Sequence, residues 1–265
     1  MESHFDKLWK MESKNKKDQQ KFWDSRAAEF NLQLASPMAI KETQQLLNFL
    51  KEKGAIEKSS TVLDIGCGAG KYALTFAKEA KTVVGTDISP KMIAFARDNA
   101  QDRGLQNIEF VQASWPEVNL KDLGWKRNFD LVFAAFCPGI DSAEALKQMI
   151  DASRKHCFMS GFAMRKDQVM EGLKKHLGIQ SKSWGNQIYF SFNLLWQWGY
   201  YPKITYQDRG WTKEYDIEQM ADILLIRFND QVSKEDIIDY LKTISVNGKI
   251  TEQITAKVAW LYWQV

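Results

Sequence analysis

Two acids and three glycines, close together in the chain, carry its most specific chemistry. Asp64 lies in the apolar run Val62-Leu63-Asp64-Ile65, which stops at Gly66-Cys67-Gly68-Ala69-Gly70, and Asp87 ends a second run, Thr82-Val83-Val84-Gly85-Thr86. Glycines lack a Cβ, so a turn built from them can bend sharply and approach a ligand closely. An acid at the tip of the following strand can accept two hydrogen bonds from ribose hydroxyls. Asp64 does not suit a pyrophosphate, because like charges at short range repel. The spacing GxGxG, with Lys71 where the third glycine of GxGxxG would stand, also departs from a dinucleotide site. What fits is a nucleoside that carries a cationic amine or sulfonium. A glycine turn without a ligand is the plainer alternative, and the two acids at these positions weigh against it.

These residues need a strand, a turn, a helix and a second strand to hold them. Ala73, Leu74, Phe76, Ala77 and Ala80 lie on one side of a helix after the turn, which makes Thr61 to Asp87 a βαβ unit. Ser89 and Pro90 open another helix, with Met92, Ile93, Phe95 and Ala96 as its buried face and Gly104 near its end. Residues 107–113 read as a third strand. Residues 129–136 read as a fourth, apolar enough to be buried on both faces. A helix from Asp141 to Ile150, capped by Asp141, and a fifth strand from Lys155 to Phe162 follow. Beyond Arg165 the pattern predicts a helix at 167–177, an aromatic helix at 188–198, a sixth strand at 203–208, helices at 215–228 and 233–244, and a last strand within 250–265. Before the unit stand a polar, mobile amphipathic start at 1–21, an aromatic helix at 21–30, and a helix from Pro37 to Leu50 with Ile40, Leu46, Leu47, Phe49 and Leu50 on its apolar face.

Leu63-Asp64-Ile65-Gly66-Cys67-Gly68-Ala69-Gly70 resembles the first motif of the class I S-adenosylmethionine (SAM) methyltransferases, and the likeness covers about residues 60–165. It implies a Rossmann-like, doubly wound α/β fold: a seven-stranded, mostly parallel sheet with an antiparallel last strand. It implies SAM as cofactor and S-adenosylhomocysteine (SAH) as product, held by Asp64, Gly66, Cys67, Gly68, Gly70 and Asp87, with Ile88 against the adenine and Ala135 at the end of the fourth strand. Where the family usually has Asp to hold the adenine amino group, this chain has Ser114, followed by Trp115, which can stack on the base or close the rim. Methyl acceptors of the family sit beside the loop after the fourth strand, here Phe136-Cys137-Pro138-Gly139-Ile140. Trp23, in a W-x-x-R-A-x-x-F segment that roofs the site in many members, joins Phe136, Cys137, Trp196 and Tyr200 as candidate acceptor-pocket residues. Plain packing explains such aromatics equally well. No general base is marked; Asp141, Tyr200 and Tyr201 are candidates, and capping and packing explain them equally well.

The 265 residues suffice for one large domain: an N-terminal helical cap at 1–58 and a methyltransferase domain at 59–265, with a helical insertion at about 211–246. A net charge of +3, with both signs interspersed, argues against a nucleic-acid partner, so a small-molecule acceptor is expected. The alternatives are an RNA or protein methyltransferase and a non-catalytic SAM or SAH binding module. Three cysteines and three histidines show no metal-ligand spacing and fit a reducing cytoplasm. No apolar run is long enough to span a membrane. A monomer or a homodimer is expected.

Overall fold

A computed structural model describes residues 4–12, 19–179, 186–228 and 232–265. It holds a seven-stranded sheet in the order β3-β2-β1-β4-β5-β7-β6, mostly parallel with one antiparallel end, as expected. At its centre, β1 (Thr61–Ile65) pairs in parallel with β2 (Thr82–Asp87) on one side and β4 (Phe129–Ala135) on the other, so Leu63 sits between Val84 and Val132. The run of apolar side chains in β4 is buried on both faces, as a central parallel strand requires. Outside β2 runs β3 (Ile108–Gln112), and β5 (Ser153–Asp167) pairs in parallel with β4. β6 (Lys203–Asp216) and β7 (Lys249–Gln264) complete the sheet.

Chain compactness divides the protein into two units, each with its own core. The first comprises 1–161, 187–205 and 260–265. Its helices are α1 (His4–Glu12), α2 (Gln19–Gln33), α3 (Pro37–Glu52), α4 (Ala73–Ala77), α5 (Pro90–Asp102), α6 (Ala143–Ala152) and most of α8 (Asn186–Gln197). The start expected to be mobile is partly helix: α1 buries Trp9, which stacks on Phe190 at 5.6 Å. Residues 1–3 and 13–18 of that expectation lie outside the described residues. α3 buries Leu46, Leu47 and Leu50, whereas Ile40, expected on the same face, is 59% exposed.

The second unit comprises 162–186 and 206–259, a larger set than the insertion expected at 211–246. Val169, Met170 and Leu173 of α7 (Gln168–His176) meet Met220 and Leu224 of α9 (Ile217–Phe228) and Ile237 of α10 (Lys234–Ile244). Arg227 pins this core through ion pairs with Asp167 at 2.8 Å and Glu252 at 2.6 Å. Residues 211–216 extend β6 instead of opening the insertion.

Candidate cofactor site

The glycine turn stands at the carboxyl end of β1, and its backbone shows why each glycine is there. Gly66, Gly68 and Gly70 all have positive φ, +72°, +54° and +94°, a region that L side chains rarely adopt. A Cβ at Gly66 would lie 2.6 Å from Cys137 Sγ, and one at Gly70 would lie 2.9 Å from Leu74. Those two glycines permit close packing of the turn on the β4 loop and on α4. At Gly68 a Cβ would meet nothing nearer than Met92 Sδ at 3.9 Å. The middle glycine therefore borders open space, as a ligand cradle requires.

Asp87 holds the turn in place. Gly68 N–H donates to Asp87 Oδ2 and Ser89 N–H donates to Oδ1, both at 2.9 Å. Each carboxylate oxygen keeps a second lone pair, so two hydroxyl donors can still be accepted. Burial raises the Asp87 carboxyl above the usual range, opposed by those amides and reinforced by the charge of Asp24. Asp64 is 1% exposed and its Oδ2 has no hydrogen-bond partner. Desolvation pushes its carboxyl up to about 8, with the Ala73 amide opposing and Asp87 adding repulsion. A buried acid with an orphaned oxygen behind a glycine turn is costly unless a cation completes it. Two acids and an open cradle fit a nucleoside with a cationic tail. Lys71 is turned outward and pairs with Glu42 of α3 at 2.8 Å.

Helix α2 docks beside this turn. Ser89 Oγ donates to Asp24 at 2.5 Å while accepting from Met92 N–H, so one hydroxyl caps α5 and anchors α2. Asn99 Nδ2 donates to Asn31 Oδ1 at 2.8 Å and to the Ala69 carbonyl at 3.0 Å. Ala27, Ala69 and Met92 pack together, with Trp23 and Phe30 against them. Trp23 thus lies next to the turn.

The loop after β4 faces Gly66. Phe136 adopts φ +52°, a strained conformation for a bulky residue, and its N–H donates to the Ser160 carbonyl at 2.9 Å. The Cys137 thiol is 6% exposed and burial pushes it up to about 12, which disfavours the thiolate that a nucleophile needs. Gln187 Nε2 donates to the carbonyls of Cys137 at 2.8 Å and Ile140 at 2.7 Å, clamping the loop from α8. Sequence reasoning missed this residue, since a single glutamine at a helix start gives no signal. Ser142, not Asp141, caps α6 by accepting from Ala145 N–H at 3.1 Å.

Ile88, Ser114 and Ala135 are half-buried near the carboxyl ends of β2, β3 and β4. Trp115 departs from expectation. Its indole is 3% exposed and Nε1 donates to the Ala145 carbonyl at 3.0 Å, so it is committed to α6 and not free to stack on a base. Trp196 and Tyr200 are not brought to the turn. Trp196 stands nine residues along α8 from Gln187, roughly 13 Å at helical rise, and is 55% exposed. Tyr200 lines a cavity of about 200 Å³ with Asp151, at the end of α6 remote from the carboxyl end of β4. Buried His156 meets the Tyr262 hydroxyl at 2.8 Å, a packing role as expected.

A mostly parallel sheet of this order, with an acid, a GxGxG turn and a second acid at its carboxyl edge, defines the class I SAM-dependent methyltransferases. Residues 56–219 match a family model described as a methyltransferase domain, and the chain belongs to that family. It is 14% identical to magnesium protoporphyrin IX methyltransferase from Synechocystis, solved with SAH bound, at a TM-score of 0.55 over 92% of this chain and 99% of that one. The YcgJ protein of Bacillus subtilis aligns at TM-score 0.53 and 19% identity, over 83% and 98%. Both likenesses concern the fold alone. Among curated relatives, a 23S rRNA (uracil(1939)-C(5))-methyltransferase of Psychromonas ingrahamii is 36% identical over 102 residues, 38% of this chain and 22% of that protein. A human tRNA (uracil-5-)-methyltransferase homolog is 37% identical over 65 residues, 24% and 10%. This chain spans only a minor part of those relatives' length. The expectation of a small-molecule acceptor with no nucleic acid is overturned here, because the relatives are named for ribosomal and transfer RNA. Among the described residues, no helix is long and apolar enough to cross a membrane.

Proposed function

We propose that this SAM-dependent methyltransferase methylates RNA, at a nitrogen or oxygen of the nucleotide. The observation that carries the acceptor class is the 36% identity to a ribosomal RNA methyltransferase. The composition from 172 to 207 supports it: four lysines, no acid and nine aromatic residues, whereas whole-chain charge dilutes this stretch.

Asp64 takes the donor's ammonium, Asp87 its ribose hydroxyls, and Ile88 with Ser114 the adenine. Gly66, Cys67, Gly68 and Gly70 form the cradle, with Ala135 beside it. The donor, when bound, supplies a sulfonium methyl for in-line displacement. What the chain adds is alignment: the Phe136–Ile140 turn, strained at Phe136 and clamped by Gln187, borders the side from which an acceptor atom would approach.

The heteroatom reading rests on the thiols. Carbon 5 of uracil becomes a competent nucleophile once another nucleophile has added at carbon 6. Cys67, Cys137 and Cys157 are all buried, and burial raises each thiol, the latter two to about 12, so none offers a thiolate. A nitrogen or oxygen acceptor brings its own lone pair. The test is mass spectrometry of nucleosides from RNA incubated with the protein and SAM. A new N- or O-methyl nucleoside is expected. New 5-methyluridine would refute the heteroatom reading, and no new methyl nucleoside in any RNA fraction would refute the acceptor class.

A further inference from the structure

Helix α8 buries one face completely and leaves the other bare. Ile188, Phe190, Ser191, Leu194 and Leu195 are each 3% exposed or less. On the opposite side Tyr189 and Trp196, seven residues apart and so on one helical face, are each 55% exposed. Tyr201, just past the helix, is 63% exposed and holds its ring edge-on to Trp196 at 5.1 Å, in a left-handed backbone at φ +46°. Burying such rings is worth more than burying most other side chains, so their exposure is a cost this fold carries. Packing already supports them: Phe192 lies 6.1 Å from Trp196, and Phe5 of α1 is edge-on to Tyr189 at 5.8 Å. Rigid rings lose little entropy when something stacks on them.

Charge identifies the occupant. Residues 186–205 carry seven aromatic residues, Lys203 and no acid. One turn further, the Lys147 ammonium sits 4.8 Å over the Trp198 ring, at the mouth of the cavity that Lys147, Trp198 and Tyr200 share with Asp151. Stacking faces beside Lys147 and Lys203, with Asp151 as the carboxylate lining that cavity, suit a single nucleic-acid strand; a greasy protein partner needs no cations there. The helix also has the right direction. Its first turn holds the Phe136–Ile140 loop through Gln187, and Trp196 lies roughly 13 Å along the axis.

We propose that the exposed aromatic face of α8 and the turn to Tyr201 is a stacking platform for single-stranded RNA, positioning the strand so that a nucleotide a few residues along reaches the loop after β4. This rests on the RNA reading above and assigns its binding surface. Trp196 and Tyr201 bind the strand at a distance from the reaction and leave SAH binding untouched.

The test is fluorescence anisotropy of a labelled 12-mer oligouridylate with the full chain and with Trp196→Ala/Tyr201→Ala. SAH calorimetry on both proteins checks that the variant folds. The variant is expected to bind SAH as the wild type does and to lose RNA affinity by about fivefold to a hundredfold for each stacked ring removed. Tyr201→Phe, which keeps the ring, should bind RNA normally. If the wild type binds the oligomer and the double variant binds it equally well, the platform is wrong while the RNA reading stands. If the wild type binds no RNA at low salt, the RNA reading falls and the platform with it. If the wild type sediments as a dimer and the double variant as a monomer, the face belongs to a second copy and the platform is overturned.

Discussion

Replacing Asp64 with Asn should change how cofactor affinity responds to pH. The Asp64 carboxyl is raised from 3.8 to about 8 because it is fully desolvated, and its Oδ2 lacks a donor. Below pH 8 the free protein therefore holds a proton there. A ligand ammonium favours the carboxylate, so binding must expel that proton. The sign follows: affinity for SAH rises with pH up to about 8 and then levels. With a free-state value near 8, about 1% of the protein is ionised at pH 6 and about half at pH 8, so Kd should fall roughly fiftyfold between them, a little over 2 kcal/mol. Stability of the ligand-free protein runs the other way. Above about pH 4 the unfolded chain has lost the proton that the native state keeps, so this group's contribution declines as pH rises toward 8. Calorimetry from pH 6 to 9, in two buffers of different ionisation enthalpy, reads both Kd and proton release. Close to one proton should leave at pH 7. Asp64→Asn should bind more weakly at pH 8 and show neither the slope nor the release. A wild-type Kd that is flat from pH 6 to 8, or an Asn variant with the wild-type slope, would refute the assignment of Asp64 to the ammonium.

Asp87→Ala removes the anchor of Gly68 and the carboxylate to which we assign the ribose hydroxyls. It should weaken SAH binding by about 1.5–3 kcal/mol, read by calorimetry, and unchanged affinity would misplace the ribose. The glycines should separate by readout: Gly66→Ala, with its Cβ at 2.6 Å from Cys137 Sγ, should lower Tm more than Gly68→Ala, which borders open space and should mainly lose cofactor affinity. Truncating the thiol with Cys137→Ala should recover part of the Gly66→Ala loss in a thermal melt, and no recovery would place the strain elsewhere. In the second unit, Gly172→Ala would ordinarily gain close to 1 kcal/mol from helix propensity, but its Cβ would fall 1.9 Å from the Tyr240 hydroxyl oxygen. Net destabilisation is expected, eased by Tyr240→Phe.

The cofactor half was legible because its information is local. Asp64, the three glycines and Asp87 follow one another along a single βαβ unit, and the Ser89 cap and the apolar face of α5 can be read in order. What the sequence hid depends on contacts between distant segments. The place of Trp115 is set by a carbonyl thirty residues away on α6, and the clamp by Gln187 spans fifty. Ser142 displaced Asp141 as a cap because both are good caps and only backbone geometry chooses between them. The extension of β6 to Asp216 was unreadable for another reason: Arg209, Lys213 and Glu214 interrupt any apolar alternation on a strand that is largely exposed. The expectation of an acceptor other than nucleic acid rested on net charge, which averages the acid-free aromatic stretch at 172–207 with the rest of the chain.

The most direct test is transfer of tritium from methyl-labelled SAM to total RNA by the purified chain. Label that precipitates with RNA and is released by ribonuclease is expected, and Asp87→Ala should reduce it sharply. Label that appears only in protease-sensitive or small-molecule fractions, or none with any RNA, would contradict methylation of RNA by this chain.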